Sequence, residues 1–94
     1  MSKTDKIRNI FKELGDKVAA KNADYGDSVF ESPTLCPTMD ASSAIMVRLS
    51  DKLSRLKRLY GHQAQVKDET LADTLDDICG YCVLFKIYLE EKIS

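Results

Sequence analysis

The chain has 94 residues, 44% of them hydrophobic and 31% charged, with no Trp; fourteen Lys and Arg stand against fifteen Asp and Glu, a formal charge of −1. That length accommodates one domain, and the apolar share is too high for a disordered chain. There is no basic surplus for the counterion release that duplex binding draws on, which argues against nucleic acid as the partner, and no stretch approaches the roughly 18 uncharged apolar residues of a membrane span.

The first residues, Met1 to Lys6, lead straight into an amphipathic pattern with no apolar signal core, so a soluble, cytoplasmic protein is expected. Over about residues 3–21, Ile7, Ile10, Phe11, Leu14 and Val18 recur at spacings of three and four and predict a first helix with one apolar stripe, Gly15 lying on its polar side. Residues 22–39 show no period and contain Pro33 and Pro37, a long first loop for so small a domain. Such a connection is either functional or packs Tyr25, Val29, Phe30 and Leu35 over the end of a bundle. A second helix is predicted over about 40–60, with Asp40 or Ser42 as N-cap and Gly61 as the C′ residue. Its stripe is Ile45, Leu49, Leu53, Leu56 and Tyr60. The third helix, about 68–92, has the strongest period: Leu71, Leu75, Ile78, Cys82, Phe85 and Leu89 hold it for five turns. Its far face carries Glu69, Asp73, Asp76 and Gly80 in the first half, then Val83, Leu84 and Ile87. A helix apolar on both sides must be covered on both. The expected architecture is therefore a single all-α domain, a three-helix unit that dimerises, or assembles further, through its third helix into a larger bundle.

Three cysteines, Cys36, Cys79 and Cys82, are an odd number and suit a reducing compartment. Cys79-Gly80-Tyr81-Cys82 has the spacing of a thioredoxin-like motif, but it falls inside a helical pattern with no strand before it. The two thiols read as small buried residues. A zinc site from the three Cys and His62 lacks a second closely spaced ligand pair.

Glycine-rich phosphate loops and H-E-x-x-H are absent, and one histidine leaves little for nucleophiles that rely on a His base. What remains is an acidic set and a basic set. Glu69 and Asp73 are i, i+4 neighbours and Asp73 and Asp76 are i, i+3, so three carboxylates share one helical face, with Asp77 beside them. Like charges at these spacings repel by a few tenths of a kcal/mol per pair, and Mg²⁺ would reverse that sign. The plain alternative is a solvated face whose acids meet the helix dipole. Arg48, Lys52 and Arg55 lie along one side of the second helix with Asp51 among them. They either form a phosphate clamp or pair within the helix, Arg48 with Asp51 and Asp51 with Arg55.

Three blocks, Lys21-Asn22-Ala23-Asp24-Tyr25-Gly26-Asp27-Ser28, Arg48 through Leu56, and Val66 through Asp77, together resemble the nucleotide modification associated domain 1 family in order and spacing, over roughly residues 18–90. That family is small, all-α and common in phages and prophages, and its members look distantly similar to MazG-like nucleoside triphosphate pyrophosphohydrolases. The resemblance implies a nucleotide ligand, a homo-oligomer, and Mg²⁺ held by acids standing for the family's acidic motif, here Glu69, Asp73 and Asp76. The MazG pattern has E-x-x-D there, whereas this chain has Glu69-x-x-x-Asp73 and Asp73-x-x-Asp76. The earlier E-x-x-E has no counterpart on the second helix, which offers only Asp51; Asp24 and Asp27 supply the missing acids only if the loop folds back.

The expected function is thus a MazG-like nucleotide-binding protein, a candidate Mg²⁺-dependent pyrophosphohydrolase. Catalysis and metal binding would fall to Glu69, Asp73 and Asp76. Arg48, Lys52 and Arg55 would stabilise phosphate charge, Tyr25 would stack on a base, and Gly26 beside Asp24 would let the loop approach the ligand. The competing expectation is a non-catalytic helical module that binds a protein partner, with the acids merely solvated.

Overall fold

Each helix begins where a short oxygen-bearing side chain can take up its free amides. In the computed structural model, which describes residues 1–62 and 70–93, α1 (Lys3–Asp24) starts after Ser2, whose hydroxyl accepts from the Asp5 N–H at 3.1 Å. Helix α2 (Ala41–Leu59) is capped by Asp40, whose carboxylate accepts from the Ser43 N–H at 2.7 Å. Ahead of α3 (Leu71–Ile93) stands Thr70: its hydroxyl accepts from the Asp73 N–H at 3.2 Å, and the Asp73 carboxylate accepts in return from the Thr70 N–H at 3.1 Å. That reciprocal pair is a capping box with Asp in the third position. The expected start of this helix at Asp68 lies outside the described residues.

Helix ends follow glycine. Helix α1 runs three residues past its expected end and stops at Gly26, φ +58°, with the Gly26 N–H on the Ala23 carbonyl and the Asp27 N–H on the Asn22 carbonyl. This is a Schellman closure, and the left-handed residue it needs falls on glycine. Gly61, φ +77°, follows α2 in the predicted place. Between α1 and α2 the chain makes one short 3₁₀ turn, Ser28–Phe30. Among the described residues there is no strand, and no helix is long and apolar enough to cross a membrane.

The core lies between α2, α3 and that short turn. Ile45 is wholly enclosed, with Ala41, Ala44 and Val29 buried around it. Among the described residues Thr74 is the buried polar side chain, and its hydroxyl donates to the Thr70 carbonyl at 3.0 Å, so its burial is satisfied. Burial fades along α2: Leu49 and Leu56 are half-buried, while Leu53 and Tyr60 are exposed. In the connecting segment Val29 and Phe30 pack as expected, but Tyr25 and Leu35 stay in solvent.

Helix α1 is held more lightly. Leu14 and Val18 are half-buried, but Ile7, Ile10 and Phe11 are 56%, 59% and 70% exposed, and no α1 residue is fully buried. The radius of gyration is 14.9 Å, against roughly 12 Å for a compact chain of this length. Because α1 covers α3 on one side only, the other side opens as an apolar groove lined by Phe11, Gly15, Ala19, Cys82, Val83 and Ile87. This overturns one expectation: Cys79 and Cys82 are exposed rather than buried, since the α3 face that carries them lines this open groove.

Two caps make acid stability testable. Bonds from Ser43, the backbone N–H first, hold the Asp40 carboxyl below the usual carboxylate range, and bonds from the Thr70 hydroxyl and N–H do the same for Asp73. A carboxyl depressed in the folded state stabilises above its unfolded pKa, about 3.9, and that contribution is lost as pH falls through the lower folded value. Helical circular dichroism is expected to hold from pH 7 to about 4 and then decline. In an Asp40→Asn, Asp73→Asn protein, whose amides cap without titrating, the decline should be shallower. An identical acid limb in both proteins would remove the caps from the account.

Candidate functional site

The second half of α1, the middle of α2 and the first turns of α3 enclose an open cleft of about 760 Å³, within the range of small-molecule sites. Its floor is made possible by Gly80. A Cβ there would stand 3.2 Å from the Val18 Cγ2, tighter than ordinary packing, so glycine lets α1 lie close against α3. Leu14, Val29 and Leu84 supply apolar wall, and Tyr25 and Tyr81 stand on the lining as aromatics.

Charge from three helices meets in this cleft. Lys17 and Lys21 of α1 and Arg48 and Lys52 of α2 line it together with Asp24, Asp76 and Asp77. Lys17 Nζ lies 3.3 Å from Asp76, Lys21 Nζ 3.6 Å from Asp77, and Lys52 Nζ 3.0 Å from the other oxygen of Asp77. All three pairs are partly exposed, so each adds on the order of 0–1 kcal/mol. Their larger effect is geometric, because the Asp77 carboxylate ties α1 and α2 to α3.

The structure brings together Asp24, Tyr25, Arg48, Lys52 and Asp76 of the residues chosen from sequence. Others stay off the lining. Asp51 and Arg55 are on α2 but do not border the cleft, and Arg48 and Asp51 form no ion pair with each other. Gly26 closes α1 and does not border the cleft, and a Cβ there would meet no protein atom within 4 Å. Asp73 is turned to the helix start, with one oxygen accepting from the Thr70 hydroxyl at 2.7 Å and from the Thr70 N–H. Glu69 lies outside the described residues. Lys17, Lys21 and Tyr81 line the cleft without having been expected there, and Asp77, set beside the acidic group, had been given no role; the i, i+4 spacing of Lys17 and Lys21 beside the α1 stripe was the signal available.

Among the described residues no three His, Cys, Asp or Glu side chains converge as a metal-ligand set. Asp76 and Asp77 are engaged by lysines, so the described residues by themselves make no cage. Two carboxylates beside a cationic cleft do fit a hydrated Mg²⁺ that arrives on phosphate oxygens, since that ion needs only one or two protein carboxylates.

Comparison with known proteins adds one match. The family model for nucleotide modification associated domain 1 matches residues 21–89, a span that includes every cleft residue named above except Leu14, Lys17 and Val18. No curated protein and no solved structure matches the chain.

Proposed function

Since the chain belongs to the nucleotide modification associated domain 1 family, we propose that it binds a nucleotide in the cleft between α1, α2 and α3 and, with Mg²⁺, hydrolyses nucleoside triphosphates as MazG-like pyrophosphohydrolases do. One observation carries this reading: a cleft of ligand size gathers four cations and two tyrosines from separate elements. Ammonium and guanidinium groups suit phosphate oxygens, and a tyrosine face suits a base. In the proposed reaction water attacks the α-phosphorus, the bond to the bridging oxygen breaks, and pyrophosphate leaves with the electron pair. Arg48 and Lys52 take up the charge that develops on the phosphate oxygens. Asp76, with Glu69 and Asp73, would hold Mg²⁺, which when bound neutralises phosphate charge.

We propose further that a second copy covers the exposed face of α1 and the α3 groove, giving a dimer. A non-catalytic module that binds a different protein is the second reading, and the same exposed Ile7, Ile10 and Phe11 favour it.

Thermal unfolding with ribo- and deoxynucleoside mono-, di- and triphosphates, each with and without Mg²⁺, separates these readings. A ligand at about 100 times its Kd stabilises by about 2.7 kcal/mol, a shift of roughly ten degrees or more for a domain of this size. A shift with a triphosphate and Mg²⁺, followed by pyrophosphate release in a turnover assay, is the expected result. A flat panel at millimolar ligand removes the nucleotide reading and leaves the interaction module.

A further inference from the structure

The cleft carries more positive charge than its own acids neutralise: four cations line it against three carboxylates. Arg48 has no carboxylate partner among the described residues. The distribution is uneven in an informative way. Asp77 sits between ammonium groups from two different helices, Lys52 at 3.0 Å and Lys21 at 3.6 Å. Lys17, one turn before Lys21 and so about 6 Å away along α1, reaches the neighbouring Asp76 at 3.3 Å. Three lysines from two helices therefore converge on two adjacent carboxylates of the third.

A carboxylate held between two ammonium groups marks a point where the surrounding field favours an anion. Phosphate groups bring more charge and more acceptor oxygens than an aspartate side chain, and these partly exposed ion pairs exchange readily. We propose that Lys17, Lys21 and Lys52 are the polyphosphate-binding residues of the cleft, and that Asp77 is a built-in anion which a ligand phosphate displaces from Lys21 and Lys52. The proposal rests on the nucleotide reading and adds the two α1 lysines to it. Lys17 lies outside the matched span of residues 21–89, so this part of the site belongs to a stretch of α1 that the family match does not reach. Arg48, without a carboxylate partner among the described residues and one turn from Lys52, is the additional cation for a ligand with several phosphates.

The test is calorimetric titration of the full chain with inorganic pyrophosphate and with the four deoxynucleoside triphosphates, at low and moderate salt. Asp77→Asn keeps the shape of the side chain and removes its charge, so it should bind pyrophosphate several-fold tighter than the unaltered chain. Lys17→Gln with Lys21→Gln should weaken binding about tenfold and flatten its salt dependence, whereas Lys17→Arg with Lys21→Arg should retain it. Unchanged or weaker binding by Asp77→Asn, with its helical circular dichroism intact, overturns the role given to Asp77. Should Asp77→Asn not fold, the two lysine pairs decide: equal binding by the Gln and Arg forms overturns the proposal, and loss in the Gln form alone supports it. If the unaltered chain binds a triphosphate but the Gln form binds it equally well, the nucleotide reading survives and the α1 lysines do not. Absence of binding by every form overturns both.

Discussion

Replacing Ile45 by Ala is expected to lower the melting temperature by roughly 10–20 °C, while the same change at its neighbour Met46 should move it by only a degree or two. Ile45 is 0% exposed, whereas Met46, about 100° further round the same helix, is 47% exposed. Truncating a fully buried Ile removes its transfer free energy and leaves a cavity, together about 2–5 kcal/mol. A domain of this length has on the order of 5–14 kcal/mol to lose, and the small set of buried apolar side chains, Val29, Ala41, Ala44 and Ile45, puts this one toward the low end. The alanines around Ile45 cannot collapse into the void, because they have no side-chain length to move. Ile45→Val removes one methyl and should cost about 0.5–1.5 kcal/mol. Calorimetry on the three variants checks the order. Equal losses at positions 45 and 46 would mean that the core is not where the packing puts it.

Local signals in the chain were reliable because the physics behind them is local. Asp40 caps α2 by a bond to an amide three residues on, and Gly61 takes the left-handed turn after the helix; both can be read from a few neighbouring residues. The three-helix, all-α fold follows from periodicities of the same kind. The site divides along this line. Arg48, Lys52, Asp76, Asp24 and Tyr25 were legible as charged or aromatic residues in blocks, but their joining across helices was not. Lys17 and Asp76 are 59 positions apart, and nothing local to either names the other. Asp73 was legible as an acid but not as a cap, a role that the sequence reading did not give it and that its bonds with Thr70 show. Cys79 and Cys82 misled because small apolar residues on a periodic helix read as core, whereas burial depends on which face a neighbour covers.

Phe11→Asp is expected to convert the proposed dimer to monomers without unfolding α1. Phe11, 70% exposed, stands with Ile7 and Ile10 on the half of α1 that the described residues leave largely uncovered. Aromatic side chains each bury about 150–250 Å² when covered, at about 25 cal/mol per Å² of apolar surface. Leaving all three in water forgoes several kcal/mol, a large sum for a helix that is otherwise held by Leu14, Val18 and partly exposed ion pairs. Shape favours a second copy as the cover. The bulky ridge of Ile7, Ile10 and Phe11 and the shallow groove floored by Gly15 and Ala19 lie on successive turns of one helix. A two-fold axis across α1 therefore sets the ridge of each copy into the groove of the other, which is the self-complementary arrangement a closed dimer requires. A carboxylate at position 11 would have to be desolvated in that contact with no cation opposite it, whereas Phe11→Leu keeps the surface apolar. Sedimentation velocity at tens of micromolar should show a dimer for the unaltered chain and for Phe11→Leu, and a 10.6 kDa species for Phe11→Asp. Monomers in all three, with helical content preserved, would remove the second copy and make a different protein the partner of that face.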